Sequence, residues 1–75
     1  MNHQYPNPNL LYSGVEEALA GELAAGKWIT GDRLPGEDVL IARFGVSRST
    51  VRRATQNLAR RGLVHVLPGR GTYVK

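Results

Sequence analysis

Hydrophobic residues recur at helical spacing in the first third of the chain. Four of them lie three or four positions apart: Leu11, Val15, Leu19 and Leu23. This stripe predicts an amphipathic helix from about Leu10 to Ala25, ended by Gly26. Trp28 and Ile29 follow the helix, and we expect these two large apolar residues to anchor the core.

Two shorter helices are predicted next, joined by a tight turn. Residues 34 and 35 (Leu-Pro) indicate a short extended segment, because proline disfavours helical geometry in the residue before it. The helix that follows spans Glu37 to Phe44, and Gly45 can adopt the positive φ at which helices often end. Ser47 is a suitable N-cap for a third helix, from Ser47 to about Arg61. Its buried stripe is expected to be Val51, Ala54 and Leu58.

The end of the chain has the pattern of a β-hairpin. Residues 63–67 and 72–74 are rich in residues with high strand propensity, and they flank a turn of proline and glycine. The predicted order is therefore helix, short strand, helix, helix, hairpin. This is a mainly α fold with a small β-hairpin, a winged helix-turn-helix of three helices and a wing. We expect residues 1–9 to be a flexible segment and residues 10–75 to form the one domain that 75 residues allow.

Charge is distributed unevenly along the chain, although the net charge is only +4. Residues 1–38 contain two basic and six acidic residues, whereas residues 39–75 contain eight basic and no acidic residues. A one-sided basic surface is typical of proteins that bind polyanions. From charge alone, a solvated arginine-rich helix is an equally good interpretation.

Composition argues against several other classes of protein. The chain has no cysteine, and its two histidines, His3 and His65, are isolated, so we expect no disulfide, no metal site and no cofactor. The start of the chain lacks the pattern of a signal peptide, and no apolar run approaches a membrane span, which predicts a cytoplasmic protein. Acidic residues cluster near the second helix (Asp32, Glu37 and Asp38), but without a nucleophile they favour a helix-dipole role over catalysis. We expect no enzyme.

The second and third helices, with the glycine-containing turn between them, have the form of a helix-turn-helix unit. In such units the second helix lies in the major groove and its first residues face the bases. Hydroxyls at this helix start suit phosphate oxygens, and arginines suit the O6 and N7 atoms of guanine. The residues concerned are Ser47, Arg48, Ser49, Thr50, Arg52 and Arg53. This pattern favours DNA recognition.

Five separated motifs resemble one known family. They are Leu11-Tyr12, Gly31-Asp32-Arg33-Leu34-Pro35, Ala42-Arg43-Phe44-Gly45-Val46-Ser47-Arg48-Ser49-Thr50-Val51-Arg52, Leu58 with Gly62-Leu63-Val64, and Gly69-Arg70-Gly71-Thr72-Tyr73-Val74. In register and without a gap from about residue 11 to residue 74, the chain resembles the N-terminal DNA-binding domain of GntR-family transcription regulators. The resemblance implies that Arg48, Ser49 and Arg52 face the major groove, with Ser47 and Thr50 near phosphate. It also implies that Gly69 and Arg70, at the wing tip, reach flanking DNA.

Three positions depart from the family pattern. Ile41 is larger than the small residue usual there, so we expect the packing of the second helix on the third to differ slightly. Gly36 stands where the family usually has serine, and Asp38 stands where it usually has arginine. Glycine still serves as an N-cap, at a cost of a few tenths of a kcal/mol. Aspartate cannot pair with phosphate, so we expect that backbone contact to be lost.

The resemblance implies a function and a set of partners. We expect sequence-specific binding to a palindromic double-stranded operator by a bacterial transcription regulator, a repressor in the simplest case. Family members also carry a C-terminal domain that binds a small effector and forms a homodimer; this chain lacks it, so we expect a monomeric fragment that binds DNA weakly. The alternative is a winged-helix protein-interaction module for an acidic partner. RNA binding is disfavoured, since the stacking aromatics that it uses are missing.

Overall fold

The computed structural model describes residues 8–75, with side chains from Leu11 onward. Over these residues it contains the helices α1 (Pro8–Ala24), α2 (Glu37–Phe44) and α3 (Arg48–Arg60), then the strands β1 (Val64–Leu67) and β2 (Gly71–Val74). The predicted order of elements is confirmed. Pro8 is well placed in the first turn of α1, where a missing N–H costs no hydrogen bond. Residues 1–7 of the expected flexible segment lie outside the described residues, whereas Pro8 and Asn9 belong to α1.

The core is built from one face of α1 and one face of α3. Val15 and Leu19 of α1 are buried, as are the predicted α3 residues Val51, Ala54 and Leu58. The stripe on α1 is narrower than predicted, because Leu11 remains 36% exposed. Burial of these side chains is the main force that holds the two helices together.

The expectation that Ile29 anchors the core is wrong, since its side chain is 69% exposed. The Ile29 N–H donates to the Asp32 carboxylate at 3.0 Å, and the Asp32 N–H donates back to the Ile29 carbonyl at 2.9 Å. These two bonds close a tight turn that directs Ile29 outward. Trp28 is half-buried at the edge of the core, and Leu34 supplies the fully buried residue of this segment instead.

The helix-turn-helix unit forms as the sequence predicts. Gly45 ends α2 with φ 65° and ψ 38°, a left-handed conformation that costs glycine little, and its N–H donates to the Ile41 carbonyl at 2.9 Å. Gly36 is the N-cap of α2, without a side-chain hydrogen bond. Ser47 caps α3, because its Oγ accepts from the Thr50 N–H at 3.2 Å. Both ends of the turn are thus fixed locally.

The wing is attached to the segment that precedes α2. The strands β1 and β2 pair antiparallel, with an exposed His65 opposite Tyr73. On the other edge of β2, the Leu34 N–H donates to the Thr72 carbonyl at 2.8 Å, and the Val74 N–H donates to the Asp32 carbonyl at 2.8 Å. An isolated β-bridge between Arg33 and Tyr73 stands in place of the predicted short strand, and these bonds fix the wing beside the start of α2.

Candidate nucleic-acid interface

The N-terminus of α3 presents a cluster of hydroxyls. The Ser47 Oγ lies 3.1 Å from the Ser49 Oγ and 3.0 Å from the Thr50 Oγ1. The first amides of a helix are short of partners and carry partial positive charge, so hydroxyls and amides here can both donate to an anion. The structure therefore brings the three predicted hydroxyl residues together at the point where α3 leaves the turn.

A cleft of about 820 Å³ lies between the start of α2, the exposed side of α3 and the wing turn. Among the predicted residues, Arg48, Arg52, Gly69 and Arg70 line it. Sequence reasoning missed a further cation in the cleft, Arg33, which reaches it from the strand segment before α2. Four arginines thus surround the cleft, together with the carboxylates of Glu37 and Asp38. Its surroundings carry net positive charge.

Arg53 lies outside this cleft, unlike the other predicted arginines of α3. Its guanidinium carbon is 4.3 Å from the centroid of the Tyr12 ring, a cation–π contact between α3 and α1. Ser47, Ser49 and Thr50 are likewise not among the residues that line the cleft, although they adjoin it on the first turn of α3. The predicted site residues therefore divide into the cleft set, the hydroxyl cluster and Arg53.

Arg52 is oriented by a two-point ion pair with Glu37. The Arg52 Nε donates to the Glu37 Oε2 at 2.7 Å, and the Arg52 Nη2 donates to the Oε1 at 3.2 Å. This pair uses the side edge of the planar guanidinium and leaves the end edge, formed by Nη1 and Nη2, available. The end edge has the fork geometry that matches guanine O6 and N7. Glu37 therefore holds Arg52 with this end edge free.

Arg48 is held differently, through its end edge. Its Nη1 donates to the Glu37 Oε1 at 2.9 Å and its Nη2 donates to the Asp38 Oδ1 at 2.6 Å. The two carboxylates therefore share one guanidinium. The hydrogen bonds from Arg52, and to a lesser extent those from Arg48, hold the pKa of Glu37 below its usual value in spite of partial burial, which acts in the opposite direction. Glu37 is consequently ionised at neutral pH.

Sequence reasoning explained Glu37 and Asp38 only through the dipole of α2. Both do lie in its first turn, where acids are favourable. Their second role, the pairing with arginines 10 to 15 residues later, has no signal in the periodicity of the chain. The one hint in the sequence is the aspartate at position 38, where the resemblance leads us to expect arginine, because it places an acid beside α3.

The remaining ion pairs lie on the other side of the domain and fasten α1 to its neighbours. Arg61 donates to Glu16 at 2.7 Å and to Glu17 at 3.2 Å, and Arg43 pairs with Glu22. Partial burial would raise the pKa of Glu16, but the hydrogen bonds from Arg61 and Asn57 outweigh it and lower the pKa. None of these paired residues lines the cleft, so its positive charge is set by its own residues.

Other kinds of site find no support in the part of the chain that the structure describes. Residues 8–75 contain no group of three or more metal-binding side chains placed to hold an ion. Over the same residues, no helix combines the length and the apolar character that crossing a bilayer requires. The cleft is the feature that requires a functional explanation.

These features define the class of the domain. A short helix-turn-helix whose second helix is exposed and basic, with a β-hairpin beside it, is a winged helix-turn-helix. The chain belongs to the bacterial regulatory proteins of the gntR family, whose family model matches residues 11–74. The resemblance inferred from the five motifs is thereby confirmed.

Individual relatives share this stretch at substantial identity. The chain is 40% identical over 67 residues to the histidine utilization repressor of Klebsiella aerogenes. These aligned residues make up 89% of the chain and 28% of that protein. It is 39% identical over 74 residues to the HTH-type transcriptional repressor NagR of Bacillus subtilis. Here the aligned residues make up 99% of the chain and 30% of that protein. The chain therefore spans less than a third of the length of these relatives.

A solved structure has the same fold over nearly the whole chain. The DNA-binding domain of AraR, crystallised in complex with operator ORX1, matches with a TM-score of 0.85 at 32% sequence identity. The match covers 99% of this chain and 93% of that one. The winged helix-turn-helix architecture predicted from the sequence is confirmed.

Proposed function

We propose that this domain binds double-stranded operator DNA in a sequence-specific manner, as the DNA-binding part of a bacterial transcription regulator. In this proposal α3 enters the major groove, Arg48 and Arg52 contact base edges, and the wing residues Gly69 and Arg70 contact flanking DNA. The hydroxyls of the α3 N-terminus contact phosphates. The function is recognition, and no step of catalysis is involved.

The observation that carries the proposal is the geometry of Arg52. Its side edge is fixed by Glu37, so the side chain loses little further conformational freedom when its end edge meets a base. The edge that remains available is the one that matches guanine. Support also comes from the complex of the AraR DNA-binding domain with its operator, because that domain has the same fold.

The longer relatives bear on the biological setting. The two described above are named as repressors, and we propose that this domain likewise serves repression in the cytoplasm. We further propose that it acts within a homodimer, so that two copies bind the two halves of a palindromic operator one helical turn apart. The remainder of such a regulator would bind a small-molecule effector and supply the dimer contacts. Residues 10–75 would act alone as a monomer of low affinity.

The test is selection of bound sequences from a randomised pool of 20-base-pair duplexes, followed by titration of the selected duplex at two salt concentrations. We expect a defined half-site, steep loss of affinity with salt, and a roughly 10- to 100-fold loss of discrimination at one base pair in Arg52→Ala. Arg60→Ala is the matched control, since it removes the same charge from the other end of α3.

Selection of no preferred sequence at either salt concentration would contradict the proposal. The proposal is also contradicted if Arg52→Ala and Arg60→Ala lower the affinity for every duplex by an equal factor, since charge alone would then account for binding. In either case the basic face of α3 would be better explained as a docking surface for an acidic protein.

A further inference from the structure

Phosphate binding cannot explain the two acids of the cleft, and of these Asp38 is the more exposed. Its side chain is 86% exposed, on the first turn of α2, and it lines the cleft beside Arg48 and Arg52. A carboxylate at a DNA-facing surface is repelled by the backbone phosphates. The ion pair with Arg48 offsets part of that repulsion, and a hydrogen-bond donor on the DNA would offset more of it.

The carboxylate of Asp38 is tied to the side chain that is proposed to contact a base. Its Oδ1 accepts from the Arg48 Nη2 at 2.6 Å. Among the hydrogen bonds of the described residues, none involves its Oδ2. One oxygen therefore positions Asp38 against Arg48, and the second oxygen is left to accept from a ligand in the cleft.

The chemistry of the major groove decides which donor this oxygen can meet. Guanine presents only acceptors there, and thymine presents an acceptor and a methyl group. Adenine presents an amino group next to the N7 acceptor, which repels a carboxylate. Cytosine presents its N4 amino group as a donor without such a neighbour on its own edge, and is the usual partner of aspartate and glutamate.

We propose that Asp38 is a specificity-determining residue, whose Oδ2 accepts a hydrogen bond from the N4 amino group of an operator cytosine while Arg48 donates to a neighbouring guanine. Arg48 and Asp38 thus act as one unit that contacts a donor and an acceptor side by side. Glu37 and Asp38 occupy the end edge of Arg48, so its side edge, formed by Nε and the second N–H of Nη2, is the one that donates to guanine while Arg48 stays paired with Asp38. The proposal rests on the proposed function, because it requires that the cleft face the major groove.

The experiment compares base preference in wild type, Asp38→Ala, Asp38→Asn and Glu17→Ala on the duplex selected by the wild-type domain. Each C·G pair of the half-site is replaced in turn by T·A, which removes the N4 amino group. We expect the affinity of the wild type to fall roughly tenfold when T·A replaces C·G at one such position. Asp38→Ala should bind the C·G and T·A duplexes with equal affinity at that position. Asp38→Asn should shift the preference at that position towards adenine, whose N6 and N7 atoms match an amide.

Glu17→Ala is the matched control, because Glu17 is an exposed acid paired with an arginine on the opposite side of the domain. We expect it to keep the full base preference of the wild type. Asp38→Ala removes an exposed side chain, and circular dichroism of this variant would verify its fold. Asp38→Asn keeps the size of the residue and provides the same test if the alanine variant is unstable.

The outcomes separate this proposal from the one on which it rests. If wild type selects a half-site but the Asp38 variants keep its base preference unchanged, or change affinity by one factor on all duplexes, the role of Asp38 is refuted while operator binding stands. A selected half-site with no position at which cytosine is preferred would also refute it. If wild type selects no sequence, operator binding itself fails, and the proposal for Asp38 fails with it.

Discussion

Ser47 has two roles in this account, and they can be separated experimentally. It caps α3, since its Oγ accepts from the Thr50 N–H at 3.2 Å with φ −77° and ψ 163°. It is also proposed to contact phosphate. Replacement by alanine removes both roles. Replacement by glycine removes the hydroxyl but keeps a residue type that tolerates the N-cap conformation.

The size of the capping effect follows from the geometry. The hydrogen bond is exposed and of ordinary length, so Ser47→Ala should cost about 1 kcal/mol of unfolding free energy, and Ser47→Gly only a few tenths. A chain of this length is expected to have a free energy of unfolding of about 4 to 11 kcal/mol, so both variants should remain folded. A loss of 1 kcal/mol corresponds to a fall of about 4 to 8 °C in Tm for a domain of this size.

Thermal unfolding followed by circular dichroism measures the first role, and titration with the selected duplex measures the second. We expect Ser47→Ala to have the lower Tm, while the two variants lose the same factor in DNA affinity at a temperature where both are folded. Ser49→Ala is the control, because it deletes a neighbouring exposed hydroxyl that caps no helix. Equal Tm values for wild type and Ser47→Ala, or for the alanine and glycine variants, would refute the capping argument.

Three further predictions concern stability. Leu58→Ala removes a fully buried side chain and should cost about 2 to 5 kcal/mol, measured by urea unfolding; an unchanged midpoint would contradict the assigned core. Gly71→Ala should lower Tm, because φ is +125° and a Cβ atom would lie 2.5 Å from the Arg33 Nε; an unaltered Tm would show that the wing adapts freely. Because Arg52 lowers the pKa of Glu37 in the folded state, this pair stabilises the domain above the unfolded pKa of about 4.3, and its contribution is lost as the pH falls through the folded value. Urea midpoints between pH 7 and pH 3 should therefore fall less in Glu37→Gln than in wild type, and parallel curves would refute the pairing.

The sequence predicted most of the backbone because its signals are local. The limits of α2 were placed without error, and the cap of α3 was identified, since a glycine and a serine fix those ends through neighbouring residues. The buried stripe of α3 followed from its periodicity alone. The outward position of Ile29 could not be predicted, because it depends on a turn closed by the carboxylate of Asp32.

The site was predicted as a set of residue types but not as an arrangement. Arg48, Arg52 and Arg53 were all predicted to bind DNA, yet two of them pair with acids of α2 and the third stacks on Tyr12 of α1. The partner of a long side chain depends on which residues of other helices pack close to it. Such pairings between separate elements leave no periodic pattern in the sequence.

The strand β2 also determines when the domain can finish folding during its synthesis. Its hydrogen bonds to the segment before α2 join residues about 40 positions apart, such as Leu34 and Thr72. At about 5 to 20 residues per second, a ribosome makes the second partner roughly 2 to 8 s after the first, whereas helices form within about a microsecond. The residues of α2 and α3 are therefore synthesised seconds before the strand that fixes the entrance to α2. A chain truncated before Thr72 would have α3 without a completed cleft, so the base selectivity proposed for the cleft depends on the last residues of the wing.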